Sequence, residues 1–369
     1  MSKRIDVTFK DKDLGSDDSF SYDIIIADGF RELDVLLEPV LNEGRKAALF
    51  SDDRVYGIYG PQIELILERS GVAFQSFVFP AGEESKNLDT VREAYEFLIK
   101  NRFERRDVCI ALGGGVVGDL TGFTAATYLR GIPFIQIPTT LLAQTDSSIG
   151  GKTGVDLKAY KNMVGSFHQP LLCFMNTETL KTLDRRQFLS GLGEVIKSAL
   201  IKDKDFYEWI KKHFKEINAL DETTLEEMIY RACLIKREVV QSDPTEKGER
   251  ALLNFGHTLG HAIEKCAGFS LYHGECVVLG MIAALHICVE RGYVTKEEFD
   301  DVYDLFKSFG YTLTVSGLSK DDILETVKSD KKTEGGVVKF ILLENIGCGV
   351  IKKDVTPEEQ KTALDLILG

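Results

Sequence analysis

Along the first half of the chain, short runs of apolar, largely β-branched and aromatic residues recur at positions 22–27, 46–50, 74–79, 108–112, 134–137 and 171–175. Between them lie amphipathic stretches of helical length. Strands and helices that alternate in this way predict a mostly parallel sheet with helices covering it. After about residue 180 apolar positions at helical spacing dominate, as at 225–240, 251–266 and 276–291, and strand candidates become rare. One exception is a pair of extended runs, 337–343 and 349–352, whose connector 344–348 contains glycine and reads as a hairpin. The pattern predicts an α/β domain over residues 1–180 and a mainly α-helical domain over 181–369.

A chain of 369 residues with 44% apolar content exceeds what one hydrophobic core usually organises, in keeping with two domains. Its formal net charge is −13 and no long Lys/Arg run is present. That balance argues against nucleic acid or an anionic membrane as partner and in favour of a small molecule. The seven cysteines are scattered and never spaced C-x-x-C, so neither a disulfide framework nor a zinc ribbon is expected. The first residues pass directly into strand-like alternation, and no apolar run approaches the ~20 residues of a membrane span. A cytoplasmic protein is the expectation.

The run at 108–112 leads straight into Gly113-Gly114-Gly115-Val116-Val117-Gly118-Asp119, which has the form G-x-G-x-x-G. Glycine lets the backbone approach a phosphate, and the N-terminus of the following helix offers oriented N–H groups and partial positive charge. Unlike the usual dinucleotide fingerprint, the loop lies deep in the chain and no acidic residue follows it by about 20 positions. An acidic residue instead ends an earlier strand, at Asp52, where it could hold a ribose hydroxyl. The favoured reading is a dinucleotide bound by a rearranged fold; the other is a tight strand-helix junction without ligand. Gly151-Lys152-Thr153 imitates the end of a phosphate-binding P-loop, but Asp146 stands where that motif needs glycine.

In the segment 250–264, His257, His261 and Glu264 share one helical face by i, i+4, i+7 spacing. Two histidines so placed can share a metal or divide ligation from proton transfer. Four of the six histidines, His257, His261, His273 and His286, fall between positions 257 and 286, and His273-Gly274-Glu275 opens the next helical stretch. Catalytic zinc usually takes three protein ligands, so a donor from elsewhere is needed. Glu194, preceded by Gly191 and Gly193 in an apolar helix start, offers a carboxylate, with Lys197 one turn later. Taken alone, that pair reads more simply as an i, i+3 salt bridge. Cations within glycine-rich or apolar segments, namely Arg130, Lys152, Lys161, Lys197 and Arg250, suggest a substrate bearing phosphate or carboxylate.

Together the segments 113–123, 128–131, 136–144 (QIPTTLLAQ), 146–154 (DSSIGGKTG), Lys161-Asn162, 254–261 (NFGHTLGH) and His273-Gly274-Glu275 closely resemble the 3-dehydroquinate synthase family. The resemblance implies a Rossmann-like α/β N-terminal domain joined to a mainly α-helical C-terminal domain. It implies NAD and a divalent metal as cofactors, zinc with cobalt as the alternative, commonly in a homodimer. By motif, Glu194, His257 and His273 match the metal ligands, which leaves His261 to handle protons alongside Glu246, with Lys152 and Lys197 also catalytic. Substrate contacts would come from Arg130, reaching the partner subunit's phosphate site, and from Asp146, Lys152, Asn162, Glu194, Lys197, Lys236, Arg250, Asn254, His261, His273 and a lysine of Asp330-Lys331-Lys332, with Lys332 named for it. NAD contacts would fall on Asp52, Glu83, Lys86, Gly114, Gly115, Val116, Asp119, Thr139, Thr140, Lys152, Lys161 and the turn Thr179, Leu180, Lys181 and Thr182.

The implied reaction turns 3-deoxy-D-arabino-heptulosonate 7-phosphate, a phosphorylated keto-acid sugar, into 3-dehydroquinate and phosphate, the second step of the shikimate route. It runs through transient oxidation by NAD, phosphate elimination, reduction and intramolecular aldol closure. The residue types suit this chemistry: a metal lowers a hydroxyl pKa and polarises a carbonyl, cations hold phosphate and carboxylate, and a histidine relays protons near neutral pH. Other sugar-phosphate cyclases and metal-dependent polyol dehydrogenases of the same fold are the rival readings; a dehydrogenase would need fewer anion-binding residues.

Overall fold

The structure, a computed structural model, describes residues 2–9, 20–41, 44–158, 160–246, 248–331 and 338–369, with the backbone alone at 330 and 331. The chain forms two compact units, Met1–Leu183 with Leu225–Pro244, and Asp184–Thr224 with Thr245–Gly369.

The strands of the first unit are β1 (Lys3–Phe9), β2 (Phe20–Ala27), β3 (Ala47–Asp52), β4 (Phe74–Phe79), β5 (Val108–Gly113), β6 (Phe134–Pro138), β7 (Lys152–Leu157), β8 (Tyr160–Phe167) and β9 (Leu172–Asn176). Seven of them form one sheet in the order β1-β2-β9-β6-β5-β3-β4. Every pairing in it is parallel except β1 with β2. Strands β5, β6 and β9 are buried at every position. That is the unbroken apolar run expected of parallel strands covered on both faces. Alternate residues sort to opposite sides, as the two-residue strand period requires. Leu49, Ile110, Leu112 and Ile135 pack with Leu33 and Leu37 of α1 (Leu33–Leu41) and Ile63 and Leu67 of α2 (Asp53–Arg69). Ala48, Phe50, Cys109 and Ala111 pack with Val91 and Leu98 of α3 (Leu88–Lys100) and Val117 and Leu120 of α4 (Gly115–Thr127).

In the first unit two features depart from the sequence expectation. Strands β7 and β8 pair as a separate antiparallel hairpin, although neither shows an apolar alternation. Glycines let this ladder close: a Cβ on Gly154 would lie 2.8 Å from the Val164 carbonyl oxygen, and one on Gly165 2.4 Å from that of Thr153. A single division after residue 180 also misses the return of Leu225–Pro244, most of α8 (Glu222–Ser242), to the first unit. There Gln241 donates to the Thr8 carbonyl at 2.7 Å, Cys233 lies 3.4 Å from the Gln144 carbonyl, and Lys3 pairs with Glu227.

The second unit is helical: α5 (Arg185–Lys202), α6 (Lys204–Lys212), α7 (Phe214–Asn218), α9 (His257–Cys266), α10 (His273–Glu290), α11 (Lys296–Phe309), α12 (Lys320–Lys331) and α13 (Pro357–Ile367). The expected hairpin is present as β10 (Phe340–Asn345) and β11 (Cys348–Lys352). Helix α10, at 18 residues, is long and apolar enough to cross a membrane by length and composition, which corrects the expectation that no run comes near a span. With 72% of it buried within the molecule, it is a core helix. The stretch 251–266 is not one helix. A 3-10 turn spans Glu249–Asn254, Gly256 adopts φ +80°, and α9 starts at His257. A side chain at 256 would meet the Val277 carbonyl at 2.6 Å and the Met281 nitrogen at 2.8 Å, so glycine is required there for space as well as for φ.

Candidate active site

In the sheet of the first unit, β3 and β5 are neighbours that the chain leaves in opposite directions, from β3 toward β4 and from β5 toward β6. Ligands of open parallel sheets bind outside the carboxyl ends of the strands at such a switch point. Asp52 ends β3 and Gly113 ends β5. Thr139 and Thr140 follow β6, and the 3-10 turn Thr177–Thr182 follows β9, which puts most of the residues expected to touch NAD on one rim. Asp52 caps α2, accepting from the Val55 N–H at 2.9 Å, and burial pushes its carboxyl up. Gly114 caps α4 without a side chain, so the first-turn N–H groups around Gly115 and Val116 face the loop. A Cβ on Gly118 would come within 2.7 Å of Gln136 Oε1, so this glycine serves the packing of α4 on β6. Within the turn, Gln144 Nε2 donates to Thr179 Oγ1 at 3.2 Å, Tyr59 OH and Thr182 Oγ1 are 2.6 Å apart, Leu180 is buried, and Lys181 pairs with Glu178 at 3.6 Å.

A polar cluster flanks this rim. The buried Lys86 ammonium lies 2.6 Å from both Asp119 Oδ2 and Asn162 Oδ1. Burial works against its charge, but Asp119 and Glu83 outweigh it and raise the lysine. Lys161 Nζ stands 3.8 Å from Glu83. Asn162, expected at the substrate, thus sits with residues expected at NAD; its φ of +54° is held by Asp156, which accepts from its N–H at 2.7 Å. Lys236, on α8, places Nζ 2.5 Å from Asp146 Oδ1. Lys152 is exposed at the start of β7, and Arg130 is exposed just after α4 with φ +71°.

The second unit assembles the histidine cluster. His257, His261 and His273 offer ligand nitrogens within 4.8 Å of one another. Glu194, on α5, is buried and points Oε1 at Nε2 of His257 (3.7 Å) and of His273 (3.6 Å). That oxygen has no hydrogen-bond partner, while Oε2 pairs with Lys197, itself buried. A buried carboxylate oxygen without a partner is costly unless something binds it. Two imidazole nitrogens and one carboxylate oxygen are a donor set that suits zinc or cobalt, so these residues fit a divalent ion. Three imidazoles would also suit such an ion, but His261 is exposed whereas Glu194 is not, and the orphaned oxygen favours Glu194.

The electrostatics of His257 and Glu194 agree. Burial, helped by Lys197, pushes His257 well below its ordinary pKa, which keeps it neutral with a lone pair to donate. Burial would likewise lower His273, but contacts with Glu194 and Glu264 raise it to about 9. Burial alone would raise Glu194; Lys197 and the two histidines hold it well below the carboxylate range.

Glycines bring the three helices close enough for this. A Cβ on Gly274 would fall 2.0 Å from the Ser190 carbonyl, one turn before Glu194 on α5. One on Gly280 would fall 1.9 Å from the Gly256 carbonyl, and one on Gly260 2.8 Å from that of Cys276. Each contact is a place where α10 touches α5 or α9 backbone to backbone. Sequence reasoning overlooked these glycines, although four of them, at 256, 260, 274 and 280, surround the histidine motif. Glu264, which the spacing places on the histidine face without giving it a task, is buried with Oε2 3.4 Å from His273 Nδ1. Nearby, Arg250 is buried, and Asn254 donates to Glu246 Oε1 at 3.2 Å. Lys332 lies outside the described residues.

The chain matches the 3-dehydroquinate synthase N-terminal model over residues 76–190 and the 3-dehydroquinate synthase C-terminal model over residues 191–333. It is 42% identical over 349 residues to 3-dehydroquinate synthase of Symbiobacterium thermophilum, covering 94% of this chain and 98% of that one. Among solved structures, 2-epi-5-epi-valiolone synthase from Streptomyces hygroscopicus subsp. jinggangensis 5008, with NAD+ and Zn2+ bound, superposes with a TM-score of 0.86 at 29% identity, covering 95% of this chain and 97% of that one. A 2-deoxy-scyllo-inosose synthase complexed with carbaglucose-6-phosphate, NAD+ and Co2+ does so with 0.83 at 26% identity, covering 98% and 99%. With the two family models matched over residues 76–333 and a relative this similar along nearly its whole length, the chain belongs to the 3-dehydroquinate synthase family.

Proposed function

We propose that this chain converts 3-deoxy-D-arabino-heptulosonate 7-phosphate into 3-dehydroquinate and inorganic phosphate, with NAD and a divalent ion, zinc or cobalt, as cofactors. The observation that carries the reading is Glu194 Oε1, buried without a hydrogen-bond partner and facing Nε2 of His257 and His273, in a chain whose relatives bear that enzyme's name. The solved relatives holding NAD+ with Zn2+ or Co2+ support the cofactors. When bound, the nicotinamide would supply reversible removal of hydrogen from a carbinol carbon, and the ion Lewis-acid polarisation of its oxygen.

Glu194, His257 and His273 would hold the ion. The rim formed by Asp52, Gly114 to Val116, Thr139, Thr140 and the Thr179 to Thr182 turn, with Glu83, Lys86, Asp119, Lys152 and Lys161, would hold the dinucleotide. Lys197 keeps Glu194 ionised. Lys152, Lys236, Arg250 and Lys332 neutralise substrate phosphate and carboxylate through charge-assisted hydrogen bonds, while Asp146, Asn162 and Asn254 orient hydroxyl groups. His261, exposed beside two ligands, exchanges a proton with the departing phosphate; Glu246, oriented by Asn254, accepts a second. We further read the enzyme as a cytoplasmic homodimer in which Arg130 serves the partner's phosphate site. Its substrate is a small molecule, and neither nucleic acid nor membrane is a partner.

The test is phosphate release from the heptulosonate phosphate by the purified protein with only catalytic NAD. Turnover many times the NAD supplied, and its loss on chelation, are the expected outcomes. Net accumulation of NADH without phosphate would overturn the assignment and indicate a dehydrogenase.

A further inference from the structure

Among the two imidazoles that face Glu194, the ring nitrogen turned away from it is secured in different ways. His257 Nδ1 lies 3.1 Å from the Phe255 carbonyl oxygen, a main-chain acceptor that no side-chain change removes. His273 Nδ1 lies 3.4 Å from Oε2 of Glu264, a side chain carried by another helix. Glu264 is 4% exposed, so its carboxylate has been taken out of water at a cost that a merely decorative residue would not carry. It approaches the edge of the His273 ring opposite to the one that faces Glu194, since Nδ1 meets Glu264 and Nε2 meets Glu194. A donor on that edge cannot also reach an ion held at Nε2.

We propose that Glu264 is a positioning residue for the metal centre: its carboxylate takes the Nδ1 proton of His273 as a hydrogen bond, fixing the tautomer and the ring plane that present Nε2 to the ion. This rests on the reading of Glu194, His257 and His273 as the metal ligands. A carboxylate behind a ligating imidazole raises the basicity of the ligand and restricts its rotation, and loss of such a partner typically weakens metal binding about ten- to hundredfold. The arrangement also explains an i, i+7 relation along α9 that ligation alone leaves without purpose. His257 at the helix start donates to the ion, and two turns on, Glu264 steadies the ligand contributed by α10. The main-chain carbonyl of Phe255 performs the same service for His257, so of the two supports only Glu264 is open to mutation.

The experiment is Zn2+ affinity of the full chain, measured by competition with a chelator, together with the visible spectrum of the Co2+-substituted protein and the melting temperature without metal. Glu264→Gln keeps an acceptor and should lose severalfold in affinity; Glu264→Ala removes it and should lose about ten- to hundredfold, with an altered Co2+ spectrum. A structural role would lower the melting temperature of both variants and leave affinity and spectrum unchanged in the molecules that remain folded. Wild-type affinity and spectrum in Glu264→Ala, or in Glu264→Gln and Glu264→Asp should the alanine variant fail to fold, overturn the proposal. Failure of the unaltered protein to bind Zn2+ at all would instead overturn the reading of the metal site on which it rests.

Discussion

His257 and His261 stand one helical turn apart with ring centroids separated by 5.0 Å, yet their surroundings differ. His257 is tied through Nδ1 to the main chain and pushed toward the neutral form, as a ligand should be, whereas His261 reaches the surface, where a group exchanging protons with substrate and water belongs. Replacing His257 by Ala should abolish retention of one equivalent of metal through dialysis. Replacing His261 by Ala should leave metal content intact and lower kcat by about a hundred- to ten-thousandfold, the usual contribution of general acid-base catalysis. Metal analysis alongside steady-state rates checks both, and equal metal loss in the two variants would refute the division of roles. Glu194 and Lys197 illustrate how far residue identity alone reaches. Their spacing is that of an ordinary surface pair, and only burial of both turns them into a charged unit poised beside two imidazoles.

At the scale of elements, the site depends on how closely α9 and α10 cross. Gly256 and Gly280 meet where a single methyl group would lie 1.9 Å from a carbonyl oxygen. Gly280→Ala should therefore force the helices apart, costing about 1–3 kcal/mol by overpacking, and should loosen metal binding because His257 and His273 ride on the separated helices. Denaturant unfolding with and without Zn2+ measures both effects; a variant with unchanged midpoint and unchanged metal stabilisation would show that the crossing tolerates the methyl. The α9 boundary carries the same lesson. Apolar spacing continues smoothly from 251 to 266, but the φ of +80° at Gly256 ends one turn and begins another at His257.

At the scale of the molecule, acid stability rests on pairs such as Arg291 with Glu359, which joins the end of α10 to the first turn of α13 through bonds of 2.6 and 3.0 Å. The Arg291 guanidinium, foremost among the causes, draws the Glu359 carboxyl down to about 2 from an ordinary value near 4.5. A folded-state value below the unfolded one stabilises the protein above the unfolded pKa, and the benefit drains away as pH falls from about 4.5 toward 2. Glu359→Gln should therefore melt below the unaltered protein at pH 7 and converge with it toward pH 2; parallel melting curves across that range would refute the linkage.

How much of this was legible in the sequence follows from what each feature needs. Strands β5, β6 and β9 were readable because burial on both faces leaves an uninterrupted apolar run, and the loop after β5 was readable because glycines and a following helix are local signals. The hairpin of β7 and β8 was not, since Gly154 opposite Gly165 stabilises it by close approach rather than by apolar alternation. Nor was the return of α8 to the first unit, because an amphipathic helix declares that it will be covered without declaring by what. By itself the sequence determined the alternation of elements, the glycine loop, the clustering of histidines and, through motif, the family. Tertiary structure decided which carboxylate is left without a hydrogen-bond partner beside His257 and His273, and on which side of His273 Glu264 lies. Those outcomes depend on distances between helices far apart along the chain, which are set by backbone-to-backbone packing that no local pattern records.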